Sequence, residues 1–462
     1  MGMVPLNNKI TNYFFLSVIF TVLAVHFIFD LEFKTALIQT GNYDQPVHQK
    51  PFYGYLAVPG TAHQTDAKPA TSGDRLLDNV WQKLGMAPSE HSEPNDALGG
   101  DFSQVYFSAM ALRYGDSQYN PRNGNYKDRL GRRPNYPPLT NWLYIPLTFL
   151  DYHVALTVHN FLSLALFLSL ALVIMKRFKL QAYSFKFLAL FSLLYFYTPL
   201  GLAHFERGQF DLWLASAYLL IFACIFLDRH AVTAALAAGF FGALKWNSAP
   251  FLGTISLLGW CGSAWKKSWL FVLPPVVLLL SALLFYRQVQ EYWPSLQLYE
   301  FQAAPAGVSF MLFMPRPLAK MVQICSCLMV IILSTRLNRR PEQRSDLLQH
   351  ISFPFALTMF IQGMCYGTVS YEYRIVTITG LVPGFLVWLN HVPDIPVTLK
   401  VAAAAFFAAF IIIAFRVFHF FIWDLPTLAS PGMSFFYLVC SIVSLSFTCY
   451  LIYAKSRLKQ AG

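Results

Sequence analysis

Apolar residues along this chain fall into long blocks split by short polar punctuation, with little of the strict alternation that marks a half-buried strand. The block from Ile10 to about Leu31 follows Lys9 and lacks a small-residue cleavage site, so it is expected to stay as an uncleaved signal anchor. Further spans are predicted over about 152–175, 183–203, 212–227 and 231–244, then from Pro250 to the pair Lys266-Lys267, and over 269–286. The remaining spans are expected over about 318–335, 351–368, 375–389, 397–418 and 434–454. Blocks of this size suit helices crossing roughly 30 Å of hydrocarbon. The stretch 139–150 is apolar but too short to cross and holds Pro146, so a short re-entrant or interfacial helix is expected there.

Residues 32–138 break the pattern. They are hydrophilic, with acids and bases in similar number, and only 76–84 and the stretch before Gly115 read as short helices. Basic clusters then recur between apolar blocks: Lys176, Arg177 and Lys179; Asp228-Arg229-His230; Lys266 and Lys267; the run from Arg336 to Arg344; and Lys455, Arg457 and Lys459. Under the positive-inside bias each marks a cytoplasmic end, which gives about twelve spans with both termini inside. The expected architecture is an all-α integral membrane protein in three parts. Residues 1–31 form the anchor, 32–138 an extracytoplasmic loop, and 139–462 the bundle. A second outer loop is expected over about 287–317, and a tight outer turn runs from His204 to Asp211.

Composition agrees. Of 462 residues, 56% are hydrophobic and 12% charged, with 43 Phe and 24 Tyr. The net charge of +11 is spent on those short clusters and builds no soluble basic domain, so nucleic acid is not an expected partner. None of the seven cysteines lies in the hydrophilic loop, which argues against a disulfide-stapled outer domain.

Charge beside hydrocarbon is costly and tends to face a cavity or a partner. The predicted topology gathers Asp101, Glu206, Arg207, Asp211, Lys245, Arg287, Arg316 and Arg374 on the outer side. Cations in that setting suit an anionic headgroup such as a lipid phosphate, with Arg supplying a planar fork and Lys a point charge. His153, His159 and His204 have no metal-ligand spacing with a nearby acid, so no metal or other cofactor is expected.

Asp101-Phe102 followed by a helix, Gly115 and Tyr136-Pro137-Pro138-Leu139 resembles the first outer loop of the GT-C glycosyltransferases. More specifically, it resembles the bacterial polyprenol-phosphate-mannose-dependent mannosyltransferase-like family, of glycosyltransferase family 87 type. Arg207-Gly208-Gln209 resembles that family's GQ turn. Lys245 through Pro250 resembles its lysine–proline motif at a longer spacing, and Ser370-Tyr371-Glu372-Tyr373-Arg374 its late polar turn. The resemblance implies that a sugar, mannose or another hexose, passes from a polyprenyl-phosphate donor to a glycan, lipid or protein acceptor at the outer face. Such chemistry needs one carboxylate to take the acceptor proton and cations to stabilise the leaving phosphate. Asp101 is the expected base, Arg207, Lys245 and Arg374 the phosphate ligands. Phe102, Tyr136, Glu206, Gln209, Asn247, Tyr371, Glu372 and Arg316 are candidates for the substrate groove.

Plainer roles stand beside these. Asp101 is placed to cap the following helix, Arg207 to pair with Glu206 or Asp211, Lys245 to snorkel to the interface, and Arg374 to pair with Glu372. The run Lys127, Arg129, Arg132 and Arg133 reads as a solvated or headgroup-facing patch, and Tyr136-Pro137-Pro138 as a rigid lead into the short helix. A flippase or transporter of a polyprenyl-linked or other anionic lipid would use the same cations without a base. A structural subunit of an envelope complex is a third class. Membrane lipids are partners in every case, and a bacterial inner membrane with a periplasmic active face is the expected setting.

Overall fold

The computed structural model describes residues 6–40, 100–121, 126, 134–196, 198–227, 230–260, 269–297, 306–307, 309–312, 314–338, 344–365, 369–370, 372–392, 394–415 and 431–458. The predicted helix over 76–84, the basic patch Lys127 to Arg133, and Tyr371 lie outside them. Among the described residues the chain is helical apart from one two-residue parallel pairing, Ala306–Gly307 with Val369–Ser370.

In chain order the helices are α1 (Leu6–Thr40), α2 (Gly100–Arg113), α3 (Pro138–Leu143), α4 (Tyr152–Arg177), α5 (Ser184–Phe196), α6 (Pro199–Arg207), α7 (Asp211–Phe226) and α8 (Ala231–Leu244). They continue as α9 (Ala249–Trp260), α10 (Trp269–Leu284), α11 (Tyr286–Gln297), α12 (Arg316–Asn338), α13 (Arg344–Met364), α14 (Leu381–His391), α15 (Val397–Ala414) and α16 (Pro431–Leu458). Among the described residues, three stretches are long and apolar enough to cross a membrane: Tyr152–Arg177, Val397–Ala414 and Met433–Ala454. A fourth arises if the bent pair Val272–Leu284 and Tyr286–Gln297 counts as one span.

Helix α7 is the hub. Its residues are buried almost throughout, including Leu212, Tyr218, Phe222 and Phe226, and it packs against α4, α8, α9, α13 and the 3-10 segment Glu372–Gly380. A helix apolar all round belongs inside a bundle, where it needs no polar face. Gly380 permits the approach of the 3-10 segment: a Cβ there would stand 2.4 Å from the Ala215 carbonyl oxygen of α7.

Several boundaries differ from those the sequence predicts. The first helix runs on to Thr40, past Leu31. The supposed outer turn from His204 contains the last turn of α6, because Thr198 caps that helix by accepting from the Gly201 N–H and Pro199 opens it. The short apolar stretch becomes α3 plus a 3-10 turn, Ile145–Phe149, with Pro138 and Pro146 each in a first-turn position where no N–H is missed. The span expected over 375–389 is split into the 3-10 segment and α14. Residues 287–317 begin not as a loop but as α11, turned 102° from the helix before it.

Candidate active site

The buried apolar residues form two clusters among the described residues. The smaller contains Phe102, Val105 and Tyr106 from α2, Tyr136 and Tyr144 around α3, Tyr152 and Leu156 from α4, and Phe210. The His159 ring stacks on Phe102 at 5.2 Å, and its Nδ1 shares a hydrogen bond with the Tyr144 hydroxyl at 2.6 Å. These rings fix the start of α2, and with it Asp101.

Asp101 is the second residue of α2, inside the helix rather than preceding it. Its carboxylate sits near the positive end of the helix and is 6% exposed. Arg207 donates to it twice, from Nε to Oδ2 at 2.8 Å and from Nη2 to Oδ1 at 3.3 Å. The Gln209 amide nitrogen also donates to Oδ2, while the Tyr136 hydroxyl donates to Gln209 Oε1 at 3.5 Å. Arg207 therefore pairs with Asp101, a partner 106 residues away that proximity in sequence does not suggest.

Gly208 makes that geometry possible. It ends α6 in the left-handed region at φ 61°, and a Cβ there would lie 2.6 Å from Leu156 Cδ1 and 2.7 Å from Phe102 Cβ. Only glycine takes both the conformation and the contact without strain. The turn it forms sends Arg207 and Gln209 to the same carboxylate.

A second buried pair lies alongside. Lys245, which ends α8, donates from Nζ to Asp211 Oδ1 at 2.7 Å, and Asp211 opens α7. Lys245 is 8% exposed and Asp211 1%; the lysine is tied down inside the protein and does not snorkel. Burial pulls its ammonium below the usual lysine range, opposed chiefly by the Asp211 charge. Arg374, from the 3-10 segment, acts electrostatically on both members of the pair. His204 of α6 is buried behind them with Nδ1 bonded to the Tyr195 hydroxyl at 3.1 Å. Burial pushes its imidazole down to about 4, against the pull of Asp211 and Asp101, so it is neutral at pH 7. His204 Nε2 and Asp211 Oδ2 are both buried without a hydrogen-bond partner.

The structure thus brings Asp101, Phe102, Tyr136, Arg207, Gln209, Lys245 and Arg374 to one place. Asn247 sits on the 3-10 turn just after Lys245. Arg316 opens α12, which packs on α9, α13 and the turn Phe310–Leu312. Glu206 and Glu372 belong to α6 and to the 3-10 segment, but their side chains are outside the described set. Sequence reading assigned no role to His204 or His159, and offered Asp211 only as an outer-side charge and a partner for Arg207. For Asp211 a signal existed: an acid two residues after Gln209, at the head of an otherwise apolar helix. For the histidines there was none.

Apolar helices around a buried carboxylate–cation cluster define a membrane protein whose polar chemistry is held at one end of the bundle. The family model of glycosyltransferase family 87 matches residues 135–361, and together with the apolar helices it indicates a membrane glycosyltransferase. No curated protein and no solved structure matches it. The matched stretch takes in Tyr136, Arg207, Gln209, Asp211 and Lys245; Asp101 precedes it and Arg374 follows it.

Proposed function

We propose that the protein transfers a sugar from a polyprenyl-phosphate donor to a hydroxyl-bearing acceptor at the extracytoplasmic face, with Asp101 as general base. The observation that carries this reading is the buried Asp101 carboxylate, held from two sides by Arg207 and Gln209 beside the Lys245–Asp211 pair and Arg374. In the reaction the acceptor oxygen bonds to the anomeric carbon as the bond from that carbon to the phosphate oxygen breaks. The electron pair leaves with the polyprenyl phosphate, and the acceptor proton passes to Asp101. A single displacement of this kind inverts the anomeric configuration.

A carboxylate locked to a guanidinium is a weak base. The donor phosphate offers Arg207 a competing anion with matched fork geometry. A shift of Arg207 from Asp101 toward the phosphate would leave the carboxylate more basic when substrate is present, with Gln209 still orienting it. Lys245 and Arg374 then stabilise the charge that develops on the leaving phosphate, a role for which buried, preorganised cations are most effective. Membrane lipids surround the donor tail, and the lipid-linked sugar is substrate, with no cofactor assigned.

The test compares purified wild type with Asp101→Asn in nanodiscs, using radiolabelled polyprenyl-phosphate sugars and a membrane extract as acceptor source. Donor binding is measured alongside. The expected result is transfer reduced about 10²–10⁴-fold with binding retained. Undiminished transfer by Asp101→Asn removes the base role. Donor binding without turnover in either protein favours a lipid transporter.

A further inference from the structure

Helix α11 follows α10 after a sharp bend of 102°, so it lies across the direction of the span and not along it. At helical periodicity its side chains divide into three faces. Tyr286, Val289, Trp293 and Leu296 share one, of which Tyr286 is 59% and Trp293 50% exposed. Arg287, Gln290 and Glu291 form a second, exposed and polar. Tyr292 and Ser295, both buried, form the third.

The apolar face is continuous with surface that must already meet lipid. Leu279, Leu280, Leu283 and Leu284 of α10 are all exposed, and on the adjoining α3 and 3-10 turn so are Trp142 and Phe149. Trp142 packs on Phe285 at the bend, with ring centres 6.2 Å apart. Trp and Tyr beside an arginine, at the end of an apolar helix, match the chemistry of the headgroup layer.

The buried face reaches the loop that leads from α2 to α3. The Tyr292 hydroxyl donates to the Asn135 carbonyl at 3.0 Å, and the Asn135 N–H donates to Gln104 of α2 at 3.1 Å. The Tyr292 ring packs on Tyr119 and on Trp246, next to Lys245, at 5.1 and 5.3 Å. Ser117 donates to Glu291 at 2.6 Å.

We propose that α11 is an interfacial helix seated on the phospholipid headgroup layer through Tyr286, Val289, Trp293 and Leu296, and that Tyr292 latches the stretches 116–121 and 134–136 and the Trp246 turn to it. The lipid surface then acts as part of the scaffold that holds the ends of the buried cluster. The inference stands on placement and contacts and does not depend on glycosyl transfer.

The test uses the full chain in phosphatidylcholine–phosphatidylglycerol nanodiscs. The emission lost on Trp293→Phe isolates the Trp293 contribution. Lipids brominated high on the acyl chain are expected to abolish most of it, and aqueous iodide little. Quenching by iodide with indifference to bromolipid overturns the seating. Hydrogen exchange reads the latch. Tyr292→Phe, which removes one hydroxyl and no bulk, is expected to speed exchange in 116–121 and 134–136 about fivefold, the factor for one modest hydrogen bond, with α7 unchanged. Trp293→Glu is expected to accelerate the same two stretches. Unchanged exchange there in Tyr292→Phe overturns the latch whatever Trp293→Glu does.

Discussion

Replacing Lys245 with methionine should be far more damaging than replacing both members of its pair. The ammonium lies 2.7 Å from Asp211 Oδ1, and both side chains are within a tenth of full burial. Methionine fills a similar volume but leaves a carboxylate that already has one buried oxygen, Oδ2, without a hydrogen-bond partner. Breaking a buried pair from one side typically costs about 3–5 kcal/mol, because the remaining charge stays desolvated. Arg374, close enough to bias both charges, puts the expectation toward the lower end, about 3 kcal/mol. Adding Asp211→Asn removes the stranded charge and should bring stability back to within about 1 kcal/mol of wild type. The double-mutant cycle is read from unfolding midpoints in a denaturing-detergent titration, with donor binding measured on each variant. A cost below about 1 kcal/mol for Lys245→Met alone would refute the buried-pair argument. If the double variant is stable yet fails to bind polyprenyl phosphate, Lys245 serves the donor as well as the fold. Normal binding would confine it to the fold.

Gly208→Ala forces a Cβ into Leu156 and Phe102 at a left-handed φ, and should cost about 1–3 kcal/mol in the same titration. His204 sets a pH dependence. The unfolded chain takes up a proton below its ordinary value of 6.5, while the folded imidazole stays neutral down to about 4. Stability is therefore fully present above pH 6.5 and lost as pH falls toward 4, by roughly 3 kcal/mol if His204 acts alone; His204→Gln should flatten that slope in thermal melts taken across the range. Thr140→Val removes the hydrogen bond from Thr140 to the Leu244 carbonyl, 2.7 Å long, at the end of α8. A loss of about 1 kcal/mol is expected, and a change in donor affinity beyond it would show that α3 positions Lys245.

The sequence by itself determined that the chain is helical and apolar, because blocks of Leu, Phe, Ala and Ile carry their own periodicity and length. It also singled out the residues with reason to be charged beside hydrocarbon, Asp101, Arg207, Lys245 and Arg374 among them. Proline and glycine punctuation was readable in kind but not in consequence. Pro146 marked a short element, but nothing local said that Phe285 would begin a right-angle turn into α11. Pairing was left to the tertiary structure. Arg207 has acids one and four residues away in sequence, yet its guanidinium goes to Asp101, because the Gly208 turn and the aromatic bed under Phe102 bring α2 against α6. Lys245 meets Asp211 because α7 and α8 are antiparallel neighbours whose ends coincide. Chain proximity governs only contacts within a turn or so of helix. Which buried charge neutralises which is set by how helices pack, and by the free energy that forbids either partner to remain alone.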